Sequence, residues 1–82
     1  PPLVAINSYS GISSIAYWIN SYFGLKGDEK IQKADERLIV IKNKIDEEYE
    51  KGRTSNISTQ EMEIMSNMYV LNNKYTYGDK AI

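Results

Sequence analysis

The sequence predicts an all-α protein, a small three-helix bundle in which a short neutral N-terminal helix packs on a long αα-hairpin. Three observations carry this prediction. Apolar residues recur at steps of three and four, glycines and a capping residue punctuate the periodic runs, and none of the 82 residues is a cysteine. A chain of this size buries only about 60–65% of the surface that its unfolded form exposes. With disulfides excluded, helix packing or association with another chain must supply the stability. The whole of residues 1–82 reads as a single helical domain.

The first helix is expected over about residues 10–23, closed by Gly24. No charged residue occurs in positions 1–25, although 26% of the chain is charged. On a helical wheel Ile12, Ile15, Trp18, Ile19, Tyr22 and Phe23 share one half. That apolar sector is about 180° wide, broader than the stripe of an ordinary surface helix, so two neighbouring helices are needed to cover it. The opposite half carries serines, Tyr17 and Asn20 in place of the usual Lys and Glu. Small polar side chains let another backbone approach closely. Ser10, Ser14, Tyr17, Trp18 and Ser21 are therefore the candidate interaction surface.

The second helix is expected from Asp28, as N-cap, to Lys51, with Gly52 as its stop. Ile31, Ala34, Leu38, Ile41 and Ile45 follow the 3-4-3-4 heptad pattern, and Ile39 and Val40 widen the stripe. Glu29–Lys33, Lys44–Glu48 and Glu47–Lys51 are opposite-charge pairs four residues apart. The short loop Gly-Arg-Thr-Ser-Asn then folds a third helix, expected over about 58–75, back on the second. Ser58-Thr-Gln-Glu61 has the form of a capping box, with Ile57 and Met62 at the staple positions. Ile12, Ile15, Ile19 and Phe23 are expected to pack on Leu38, Ile41, Ile45, Met65, Met68 and Leu71. Residues 76–82 are expected to form a frayed tail, with Tyr75 or Tyr77 packed back.

Composition narrows the functional classes. Ten Lys and Arg against eleven Asp and Glu leave a net charge of -1, without the basic surplus that nucleic-acid binding requires. Residues 26–53 hold eight basic and eight acidic groups, closely interleaved, which reads as a solvated helix surface. The absence of His and Cys removes imidazole and thiol catalysis together with the commonest metal ligands. Asp46, Glu47, Glu48 and Glu50 form a solvated run beside lysines, and neither a calcium loop nor a phosphate-binding glycine loop is present. No catalytic role, cofactor or metal is expected. Asn56-Ile57-Ser58 fits the glycosylation acceptor N-x-[ST], conditional on secretion. The Pro1-Pro2 start without Met suggests a processed or trimmed chain. Residues 3–25 lack the basic flank of a signal peptide, and Asn7, Asn20 and several serines interrupt them as a membrane span.

A neutral apolar first helix followed by a charged, heptad-patterned hairpin is similar, over most of the chain, to fungal cell-death helical bundles of the HeLo-like kind. That resemblance implies a bundle whose N-terminal segment perturbs membranes. The function expected first is a non-catalytic protein–protein association module, or a small accessory subunit of a larger assembly, that self-associates or binds a protein partner. The alternative is a small membrane-active or lipid-binding protein using the uncharged helix, with Trp18, Tyr22 and Phe23 as interfacial residues.

Overall fold

In the computed structural model, which describes residues 4–74, the neutral stretch becomes α1 (Ile12–Phe23), followed by α2 (Arg37–Glu50) and α3 (Thr59–Tyr69). This is a small all-α three-helix bundle, with α2 packed against both α1 and α3. Among the described residues the only β pairing is an isolated bridge between Ile6 and Ile57. There the N–H of Ile57 donates to the carbonyl of Ile6 at 2.8 Å. Both side chains are buried, so the bridge pins the N-terminal segment onto the loop before α3.

The core forms where the apolar periodicity predicts its centre. Ile15 and Ile19 of α1 and Leu38, Ile41 and Ile45 of α2 are all buried, with Ile12, Phe23, Met65 and Leu71 packed partly against them. Trp18 is 2% exposed and stacks on Tyr22 with ring centroids 4.6 Å apart, while Phe23 sits edge-on to Tyr22 at 5.0 Å. These offset and edge-to-face arrangements suit the quadrupoles of the rings. Helix α1 ends at Gly24 with φ 65°, a left-handed position where glycine carries no Cβ penalty. The N–H groups of Gly24 and Leu25 then both reach the carbonyl of Asn20.

The second helix is shorter than its heptad pattern predicts. It begins at Arg37 rather than Asp28, because residues 25–36 make other hydrogen bonds. A single 3-10 turn spans Gly27–Glu29, and Lys30 after it is extended. The backbone of Ile31 is then claimed by the side chain of Asn20 instead of by a helix. Asp35 restarts the chain: its carboxylate accepts the backbone N–H of Arg37 at 3.0 Å and also binds the Arg37 guanidinium. Arg37 draws the Asp35 carboxyl below its ordinary range. Ile31 is still buried, but from a loop, whereas Ala34, Ile39 and Val40 are exposed. Glu29 and Lys33 do not share a helix. Glu29 lies 3.8 Å from Lys74, and the i,i+4 ion pair seen on α2 is Lys42–Asp46 at 2.7 Å.

Helix α3 starts where its signature predicts. Ser58 Oγ accepts the N–H of Glu61 at 3.0 Å, Glu61 Oε1 accepts the N–H of Ser58 at 2.9 Å, and Ile57 and Met62 are both buried. The helix stops at Tyr69 rather than near 75. The carbonyl of Ser66 takes the N–H groups of Val70 and Leu71, and Asn72 and Asn73 adopt positive φ of 54° and 62°. Asparagine tolerates that region better than most residues, so this pair acts as the stop. Met68, expected inside, is 57% exposed. It lies about 200° around the helix from the buried Ser66, on the outer face. Residues 75–82, with Tyr75 and Tyr77, lie outside the described residues.

Candidate functional site

The loop that replaces the start of the expected second helix folds back along α1 and leaves a hollow of about 510 Å³ between them. Its wall on α1 carries Ser13, Tyr17 and Ser21, four residues apart and therefore on one face. Its opposite wall carries Lys26, Lys30 and Lys33. The floor is fixed by Asn20, which is 9% exposed: its amide Nδ2 donates to the carbonyl of Ile31 at 2.9 Å, and its Oδ1 accepts the N–H of Ile31 at 2.7 Å. One side-chain amide thereby satisfies both backbone groups of a residue in the facing loop, as a second strand would. The buried side chains of Leu25 and Ile31 anchor the loop on either side of the lysines.

The five residues of the predicted interaction surface separate into two groups. Tyr17, 49% exposed, and Ser21 line the hollow. Ser14 is half-buried. Ser10 and Trp18 are buried and unavailable as surface: Ser10 Oγ accepts the N–H of Asn7 at 2.9 Å in the turn before α1, and Trp18 belongs to the aromatic stack. Sequence reasoning missed the lysines, because Lys26 falls before the expected helix and Lys33 was read as the partner of Glu29 on its solvated surface. The loop instead turns Asp28 and Glu29 into a different hollow of about 340 Å³, shared with Arg37 and Lys74. Gly27 opens this loop at φ 58°, in the left-handed region that glycine tolerates.

Two further polar groupings brace the fold. Arg53 forms two 2.7 Å hydrogen bonds to the carboxylate of Glu61, lies 3.3 Å from Glu48 and donates to the carbonyl of Asn56 at 2.7 Å, so it holds together the loop between α2 and α3. Arg53 and the capping contact with Ser58 bring the Glu61 carboxyl down to about 2. The Tyr22 phenol donates to Glu63, which raises its own pKa and ties α1 to α3. Asn56 is exposed in the Arg53 loop, and its Oδ1 accepts from the Asn7 amide at 3.3 Å. Among the described residues, no group of three or more acidic side chains is placed to hold a metal ion, and no helix is long and apolar enough to cross a membrane.

No family model and no solved structure matches this sequence. Two curated proteins resemble it. The Citrate (Re)-synthase of Clostridium kluyveri is 45% identical over 65 residues, which cover 79% of this chain and 14% of that protein. The Citrate (Re)-synthase of Syntrophus aciditrophicus is 43% identical over 70 residues, covering 85% of this chain and 11% of that protein. The chain thus spans only a small part of the length of the relatives it matches. Their name is that of an enzyme, and the similarity overturns two expectations. One was that the chain is a non-catalytic association module, an accessory subunit or a membrane-active protein of the cell-death type. The other was that it has no part in catalysis. The missing His and Cys exclude imidazole and thiol chemistry only within these 82 residues. A stretch of a larger enzyme need not carry the acid, base or metal ligands itself.

Proposed function

We propose that this chain is a helical unit of a citrate-forming synthase. The observation that supports the reading is identity above 40% to two proteins of that name, from different organisms, across most of the chain. The role fits what the residues offer. Ammonium, amide and hydroxyl groups on a small bundle can bind and orient anionic groups, whereas proton transfer by imidazole or attack by thiolate would come from elsewhere in such an enzyme. Ile39, Val40, Ile64 and Met68, between 41% and 57% exposed, offer apolar area to the rest of it.

The test is a replacement. The matching stretch of the Clostridium kluyveri enzyme is exchanged for this chain, and citrate formation is assayed in the purified chimera. A chimera that folds and forms citrate supports the reading. One that folds with the parent's melting profile but forms no citrate refutes it. The same chimera carrying Ile41→Asp, which destroys the bundle core, should lose the activity.

A further inference from the structure

The hollow beside α1 differs from its neighbours in charge. The hollow between α2 and α3, about 410 Å³, mixes Lys44 and Lys51 with Glu47, Glu48 and Glu61. The one near the end of α3 mixes Arg37 and Lys74 with Asp28 and Glu29. The α1 hollow has Lys26, Lys30 and Lys33 and no acidic residue among the described residues that line it. None of these lysines is in an ion pair among the described residues. In a chain with net charge -1, three unpaired cations gathered around one concavity form a local field attractive to anions.

The facing wall complements that field. Ser13, Tyr17 and Ser21 place hydroxyl groups in a row opposite the lysines, and Gln32 adds an amide. Lysine ammoniums are compact charges with three donors each, suited to carboxylate oxygens. The loop carrying them is already ordered, because Asn20 clamps Ile31 and Leu25 is buried. A ligand therefore needs to order only side chains, which lowers the cost of binding. The volume is in the range of small-molecule sites, about 300–1,000 Å³. Outside the hollow the charges are mixed, so no extended basic track exists among the described residues for a polynucleotide backbone.

We propose that this hollow binds a small polycarboxylate anion, with Lys26, Lys30 and Lys33 meeting its carboxylates and Tyr17 and Ser21 donating to its remaining oxygens. The preference for carboxylate over other anions rests on the proposed relation to citrate-forming enzymes, while the attraction for a multivalent anion rests on the lysines alone.

The experiment is an amide chemical-shift titration of the full 82-residue chain, isotopically labelled, with citrate, acetate and sulfate at matched ionic strength. Citrate should give saturable shifts at Tyr17, Ser21 and Gln32 that weaken as salt is raised. Acetate and sulfate should bind markedly more weakly. The triple variant Lys26→Gln, Lys30→Gln, Lys33→Gln should weaken citrate binding about tenfold or more, the combined effect of three exposed ion pairs. All three lysines are exposed, so its circular dichroism should match the wild type. The control Lys44→Gln with Lys51→Gln, in the mixed-charge hollow, should change nothing. Absence of saturation, or citrate binding unaltered in the triple variant, overturns the site. Sulfate binding as tightly as citrate overturns the carboxylate assignment. Binding is read here without turnover, so the two proposals fail separately. An inactive chimera with citrate binding intact removes the enzyme role, and an active chimera without citrate binding removes the hollow.

Discussion

Replacing Asn20 by Ala tests whether one buried amide decides where the second helix begins. The substitution removes a donor to the Ile31 carbonyl, at 2.9 Å, and an acceptor for its N–H, at 2.7 Å. Each buried backbone group left without a partner costs about 1–3 kcal/mol. Lys30 and Gln32 on either side are exposed, so water can partly reach the freed groups and the lower half of that range applies. The expected loss is about 2–4 kcal/mol. A chain of this length has a total stability of about 4–12 kcal/mol, so the variant should be severely weakened but measurable. Urea unfolding followed by far-ultraviolet circular dichroism and by Trp18 fluorescence gives the number. With a urea dependence near 1–1.5 kcal/mol per M, the midpoint should fall by about 2 M. Asn20→Asp keeps an acceptor for the N–H but turns a carboxylate toward the carbonyl, so it should fall at least as far. A midpoint within about 0.3 M of wild type for Asn20→Ala would show that the clamp contributes little and that another interaction keeps residues 25–36 out of the helix.

The remaining predictions concern the core and the acid limb of stability. Ile41 is fully buried, and Ile41→Asp should abolish the helical circular dichroism, since an unpaired charge there exceeds what so small a core can absorb; a cooperative melt near the wild-type temperature would contradict this. Met62 is 0% and Met68 57% exposed, so Met62→Ala should cost about 2–4 kcal/mol and Met68→Ala less than about 0.5 kcal/mol in urea unfolding. Equal losses would place α3 in the wrong rotation. The Glu61 carboxyl lies at about 2, below its ordinary 4.5, so the folded state binds fewer protons than the unfolded state. Its contribution is complete above 4.5 and disappears as the pH falls through about 2. Glu61→Gln keeps the capping geometry and removes the charge, and it should flatten stability against pH in that window. The flattening is partial, because 42% exposure screens the pair with Arg53, and the lowered Asp35 titrates in the same direction. An unchanged slope would mean that the Arg53–Glu61 pair adds nothing to folding.

Periodicity and capping reveal an element when its signals are local. Ser58 and Glu61 are three residues apart and satisfy each other's backbone groups, so α3 begins where its sequence says, whatever packs on it. Gly24 closes α1 for the same reason. Ile15, Ile19, Leu38, Ile41 and Ile45 are buried because their stripe is apolar in any helical register that the caps allow. The function was misjudged on a different ground. Residue chemistry within 82 positions reports what those positions can do themselves, whereas the similarity to proteins named as an enzyme comes from the sequence as a whole.

Helix class, the caps of α1 and α3 and the centre of the core follow from residues within a few positions of one another. The start of α2 and the shape of the candidate site do not. Ile31 continues the heptad, yet it leaves the helix because Asn20, eleven residues earlier, binds its backbone. With this segment in a loop, Lys26, Lys30 and Lys33 line one hollow and Asp28 and Glu29 line another. A helix would also satisfy both backbone groups of Ile31, so the choice rests on tertiary contacts, the Asn20 amide together with the burial of Leu25 and Ile31 in the core. Packing therefore decided which hollow each of these charges lines.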